Sequence, residues 1–169
     1  MAYSVYCIVL ATGKSRVRGS SSRRRPPTLH AYGPGQPLAQ DTGANLSHSI
    51  LIVDDNTIIR RALRACLEEG RQWTVCGEAP NGRAALVMAK ELKPDLVVVD
   101  LSMPGMNGFE LTRALKRLVP VIPVLMFTSF KTPQLEKEAL ACGCNAVVSK
   151  SEHQQVLFDN IHRLLDQAA

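Results

Sequence analysis

From residue 49 onward the chain switches repeatedly between two hydrophobic periods. Ile50-Leu51-Ile52-Val53 is a continuous apolar run with the length of a buried strand. After Asn56 the period lengthens: Ile59, Ala62, Leu63, Cys66 and Leu67 share one helical face, Arg60, Arg61, Arg64 and Glu68 lie on the other, and Gly70 is placed to stop the helix. Trp73 to Ala79 predicts a second, weaker strand, and Asn81-Gly82 opens a second helix closed off by Pro94. Asp95 to Asp100 holds the most strongly β-branched run, which predicts a central strand covered on both faces. Asn107 and Glu110 have the spacing of a capping box for a third helix ending near Leu118. Val121 to Thr128 predicts the fourth strand, and Thr132-Pro133 starts a helix ending at Gly143. Ala146 to Ser149 predicts the fifth strand, and a last helix turns Val156, Ile161, Leu164 and Leu165 inward. Five strands alternating with five helices imply an α/β fold with a parallel sheet covered on both faces.

Charge separates this body from what precedes it. The net charge of +5 comes wholly from residues before Ser49, where Lys14, Arg16, Arg18, Arg23, Arg24 and Arg25 face only Asp41. Beyond that point 14 basic and 14 acidic residues cancel, so the body carries no basic signature for nucleic acid. Residues 1–48 are read as a disordered basic leader rich in Gly, Ser, Pro and Arg, residues 49–169 as the one folded domain, and no output domain is expected after it. Tyr3 to Ala11 is apolar, but its basic residues follow it, the reverse of a secretory signal, and it is about half the roughly 20 residues of a membrane span. Five cysteines without paired spacing suit a reducing cytoplasm, where Cys66, Cys76, Cys142 and Cys144 serve as small hydrophobes.

The polar residues that end the apolar runs carry the chemistry. Right-handed crossovers put every strand's C-terminal end along one edge, where ligands bind in open sheets. Asp54, Asp55, Asp100, Thr128 and Lys150 all fall at or just beyond such ends. Three converging carboxylates repel one another unless a cation joins them. Magnesium suits such a set, because it takes few carboxylates and completes its shell with water and phosphate oxygens. A lysine and a hydroxyl facing the same point add the contacts of a phosphoryl group.

Residues 49 to 167 resemble the receiver domain of two-component response regulators. The resemblance is carried by Ile52-Val53-Asp54-Asp55-Asn56, by the run from Val98-Val99-Asp100-Leu101-Ser102 through Met103-Pro104-Gly105-Met106-Asn107-Gly108, by Phe127-Thr128-Ser129 and by Val148-Ser149-Lys150. It implies a flavodoxin-like doubly wound (βα)5 fold with strand order 2-1-3-4-5. It also implies that Asp100 accepts a phosphoryl group from a sensor histidine kinase or phosphotransfer protein. Asp55, Asp100 and the Ser102 main-chain carbonyl would ligate Mg2+, with Asp54 acting largely through water. Lys150 would pair with the phosphoryl group, and Thr128 would donate a hydrogen bond to it and move inward as the signal. Such a domain catalyses only its own phosphorylation and slow dephosphorylation; it is a switch and not an enzyme in the usual sense. The alternatives are a receiver-shaped binding module that works without phosphate, and a Mg2+-dependent phosphatase. The phosphatase would want a second aspartate where Ser102 stands.

Two positions depart from the family pattern. Val147 replaces the aromatic residue that moves with the threonine, and valine's stiff torsion cannot fill that role. Ser151 replaces a proline that forms a cis bond, so a trans Lys150–Ser151 bond and an altered loop are expected. Serine here also occurs in relatives with helix-turn-helix output domains. Phe130, two residues after Thr128, is expected to hinder the water that removes phosphate. Arg60, Arg61 and Arg64 are candidate kinase contacts, and the face built from the fourth helix, fifth strand and last helix is the candidate for a homodimer formed on phosphorylation.

Overall fold

In the computed structural model, which describes residues 47–69 and 72–168, five parallel strands form one sheet in the order β2-β1-β3-β4-β5. The basic leader up to residue 46, Cys7 and the Gly70 helix stop lie outside the described residues. The strands are β1 (His48–Val53), β2 (Trp73–Ala79), β3 (Leu96–Val99), β4 (Val124–Thr128) and β5 (Ala146–Ser149). The helices are α1 (Thr57–Glu69), α2 (Gly82–Leu92), α3 (Gly108–Leu118), α4 (Pro133–Ala141) and α5 (Gln154–Ala168). This is the flavodoxin-like order that the resemblance implied.

Strand alternation sorts the core into two layers. Ile50, Ile52, Leu96, Val98, Leu125 and Phe127 point to one side, where Leu63 and Leu67 of α1 and Leu157 and Ile161 of α5 cover them. Leu51, Val53, Val97, Val99 and Val124 point to the other, against Ala85 and Ala89 of α2 and Leu111 and Leu115 of α3. Farther along the sheet, Met126 and Val147 pack with Ala139 of α4 and with Cys144. All four residues of β3 are buried, as its β-branched run predicts. In β1 and β2 the register slips between Ile50 and Leu51, so that Cys76 has no strand partner and its thiol donates instead to the Ile50 carbonyl at 3.4 Å.

The predicted caps form. Asn81 accepts the Ala84 N–H, Thr132 accepts the Leu135 N–H with Pro133 in the first turn, and Asn107 and Glu110 close a reciprocal capping box. Gly143 takes φ +96 just past α4.

Two strand boundaries and one helical phase differ from expectation. β1 starts at His48, because main-chain pairing with Trp73 extends the strand beyond its apolar run, and Ser47 reaches Thr74 at 2.9 Å between hydroxyls. β4 starts at Val124 and not Val121: Pro120 and Pro123 offer no N–H, Ile122 turns back onto the Val119 carbonyl, and Val121 is 85% exposed. Val156 faces outward, and Leu157 takes its place on the inner stripe with Ile161, Leu164 and Leu165, one residue out of the predicted phase. The cysteines at 66, 142 and 144 are buried and the one at 76 half-buried, all reduced, and burial pushes the Cys66 thiol up to about 12.

Candidate functional site

The β-ladder continues one residue past the strands and carries the polar residues on it. The Asp54 N–H bonds to the Ala79 carbonyl, the Asp100 N–H to the Val53 carbonyl, and the Lys150 N–H to the Thr128 carbonyl. Each main chain is thereby fixed where its side chain leaves the sheet. Asp54, Asp55 and Asp100 offer carboxylate oxygens that all lie within 4.8 Å of one another. Asp54 and Asp100 are buried and Asp55 is exposed, so the cluster opens to solvent on the Asp55 side.

Lys150 binds the two buried acids together. Its Nζ lies 2.6 Å from Asp54 Oδ2 and 2.9 Å from Asp100 Oδ1. Burial alone would lower the lysine's pKa, but hydrogen bonds and charge from Asp54 and Asp100 hold it above its ordinary value. Asp54 moves upward too, because its burial outweighs the help from Lys150 and from the Asn56 N–H at 2.8 Å. One ammonium against three carboxylates leaves the cluster short of positive charge. All three donors are hard oxygens and one side is open, a set that fits a divalent cation such as Mg2+.

Asn56 explains why the acids are free for this. Its side-chain oxygen accepts the Ile58 and Ile59 N–H groups and caps α1, a role that Asp54 and Asp55 would otherwise compete for. Ser102 gives its N–H to Asp100 Oδ2 at 3.1 Å, which fixes that carboxylate from the loop side. Thr128 is fully buried at the end of β4, and its hydroxyl oxygen accepts the Phe130 N–H at 3.2 Å. The Phe130 ring is 67% exposed.

Two residues contribute without having been singled out for this role from sequence. Gly108 begins α3 so close to the acid loop that a Cβ there would stand 2.6 Å from the Asp100 carbonyl oxygen and 2.8 Å from Leu101 Cα. Only glycine allows that approach. Arg60 turns inward: its guanidinium donates to the Asp54 carbonyl at 2.7 Å and lies 3.6 Å from Glu78. Arg64 likewise bonds Glu68 and Glu78. Of the three arginines expected on the outer face of α1, only Arg61 is fully exposed. The signal for Arg60 lay in its place one turn after the acid pair.

Beyond Lys150 the chain continues through a trans bond, as expected. Among the described residues there is no cis peptide bond. Ser151 instead joins a local loop in which its hydroxyl meets Ser149 Oγ at 2.7 Å and the Ser149 N–H reaches Glu152 at 2.7 Å. Val147, where the aromatic would stand, is 5% exposed and packed against Met126 and Ala139.

Residues 50–162 match the family described as the response regulator receiver domain. The chain is 33% identical over 111 residues to the transcriptional regulatory protein YdfI of Bacillus subtilis, covering 66% of this chain and 52% of YdfI. It is 34% identical over 114 residues to the response regulator protein VraR of Staphylococcus aureus, covering 68% and 54%. The chain therefore spans about half the length of the curated relatives it matches. Among solved structures, a two-component response regulator of the LuxR family from Aurantimonas superposes with a TM-score of 0.70 at 30% identity, covering 72% of this chain and 86% of the other. The chemotaxis protein CheY4 of Vibrio cholerae superposes with a TM-score of 0.64 at 28% identity, covering 69% and 98%. No helix among the described residues is long and apolar enough to cross a membrane.

Proposed function

This chain belongs to the response regulator receiver domain family, and on that premise we propose that Asp100 accepts a phosphoryl group from a sensor histidine kinase or a phosphotransfer protein. The observation that carries the reading is the grip of Lys150 on Asp100 at 2.9 Å within a cluster of three carboxylates. A binding scaffold has no physical reason to hold three acids and one lysine together at a sheet edge, because the residual repulsion only destabilises it.

An Asp100 carboxylate oxygen attacks phosphorus, a P–O bond forms, and the P–N bond to the donor imidazole breaks with its electron pair passing to the ring nitrogen. Lys150 already touches the attacking side chain, and its ammonium follows the charge onto the phosphoryl oxygens. Thr128 gives its hydroxyl hydrogen to the same group while its oxygen keeps the Phe130 N–H. Asp55, Asp100 and the Ser102 carbonyl would hold Mg2+, with Asp54 acting largely through water. Bound there, the ion would neutralise the excess negative charge and steady the phosphoryl oxygens. The Phe130 side chain, in the loop after Thr128, slows the water that removes the phosphate.

Output follows from Thr128. Its main chain is tied to Lys150 through the bond between β4 and β5, so its displacement pulls on the edge strand. The face of α4, β5 and α5, with Leu140 52% and Val156 36% exposed, is where a phosphorylated homodimer would form in the cytoplasm.

Mass spectrometry of the wild type and of Asp100→Asn, each treated with a small phosphodonor with and without Mg2+, tests the reading. A phosphoryl adduct that needs the metal and appears only in the wild type is expected. Absence of any adduct under conditions where Mg2+ demonstrably binds would overturn it in favour of a module that works without phosphate.

A further inference from the structure

A groove of about 1220 Å³ runs between α2 and α3 and reaches Asp55 at the end where the two helices begin. Arg83 and Lys90 line it from α2, Arg113 and Arg117 from α3, and Leu86, Val87 and Leu118 give it an apolar strip. All four cations are exposed, and none of them forms an ion pair among the described residues. On α1, by contrast, Arg60 and Arg64 are neutralised by Glu78 and Glu68. The two acids in the lining do not offset the groove's charge. Glu110 is engaged in the α3 capping box, and Asp55 belongs to the acid cluster.

We propose that this groove docks an acidic amphipathic helix of a partner protein. The chemistry of the lining selects that occupant. Val87 is 56% and Leu118 43% exposed, so an apolar stripe has something to bury against. Arg83 and Lys90 are seven residues apart, two helical turns or about 10.5 Å, and Arg113 and Arg117 are four apart, about 6 Å. Carboxylates at the same spacings on the flanks of an incoming helix meet both rows at once. Each wall is 11 residues long, about 16 Å, room for three turns of the third helix. A nucleic acid is a poorer fit, because an apolar strip interrupts the cations and no aromatic residue lines the groove for stacking. The segment before residue 47 carries six basic residues against one acid, the same sign of charge as the groove, and so offers it no complementarity. A helix seated here ends beside Asp55, so docking and events at the acid cluster share a boundary.

The probe is a synthetic, fluorescently labelled helical peptide with leucines on one stripe and glutamates flanking it at four- and seven-residue spacing. A scrambled peptide of the same composition is the control. Fluorescence anisotropy is expected to show saturable binding of the striped peptide that weakens about tenfold or more in R113E/R117E and, independently, in R83E/K90E. Amide shifts in two-dimensional NMR are expected to concentrate on α2 and α3. Circular dichroism of each variant confirms folding, and because the two pairs lie on opposite walls, loss of one variant still leaves a test. No saturable binding, equal binding of the scrambled peptide or of duplex DNA, or binding unmoved by both charge reversals would each overturn the proposal.

Discussion

The two ends of the sheet's functional edge are built differently. At β1 and β3, Asp54 and Asp100 sit on a continued ladder with Asp55 beside them, Asn56 relieves the acids of capping, and Lys150 reaches across to close the cluster. At β4 and β5, immediately beside that same lysine, Val147 is packed where the family has an aromatic, and Ser151 closes a local loop where the family has proline. The contrast teaches that receiving a phosphoryl group and reporting it are separable. The first, as proposed, needs charges at fixed distances, which the acids and Lys150 supply, while the second needs space for a side chain to move, and Val147 is packed there.

The largest effect is expected on the acid side. Lys150→Ala leaves Asp54 and Asp100 buried without their cation, and urea unfolding in Mg2+-free buffer should show a loss of about 3 kcal/mol, partly recovered on adding Mg2+. An unchanged midpoint would mean that the cluster is neutral without the lysine. Gly108→Ala comes next. Its Cβ has to displace the Asp100 main chain, so about 1–3 kcal/mol of stability and much of the phosphorylation rate should go together. Loss of stability without loss of rate would detach α3 from the site.

On the reporting side the sharpest probe is Val147→Phe. A buried position packed against Met126 and Ala139 should resist the larger ring by about 1–2 kcal/mol. A neutral result, with the ring turned outward by NMR, would show that the space for an aromatic switch survives and would weaken the contrast between the two sides. The smallest effect belongs to neither side. Asp95 is desolvated, but the Ser49 N–H and hydroxyl more than compensate and hold it below its ordinary value. Its contribution, reduced by solvent screening of this exposed group to about 0.5 kcal/mol or less, should be complete above the usual carboxylate pKa and fade as pH falls through the lowered one. Asp95→Ala should therefore flatten the acid limb of stability against pH and leave phosphorylation untouched.

Element type was legible wherever a period was strong or a cap had a local partner, as in the β-branched run of β3 and the capping box of α3. Boundaries set by pairing with distant chain were not, as His48 and Val121 show: one gains a strand partner and the other has prolines on both flanks. Val156 was misplaced because neighbouring residues of similar hydropathy leave helical phase open until α5 packs.

By itself, then, the sequence determined the alternation of strands and helices and the identity of the acids, threonine and lysine at strand ends, because these depend on local period and on residue type. Tertiary structure alone decided three things. Lys150 holds both buried acids, Gly108 is pressed against Asp100, and Arg60 and Arg64 turn inward while the four cations of the α2–α3 groove form no ion pair among the described residues. Each depends on which distant groups share a few ångströms, and electrostatic energy at such range is a property of the packed arrangement, invisible to spacing along the chain.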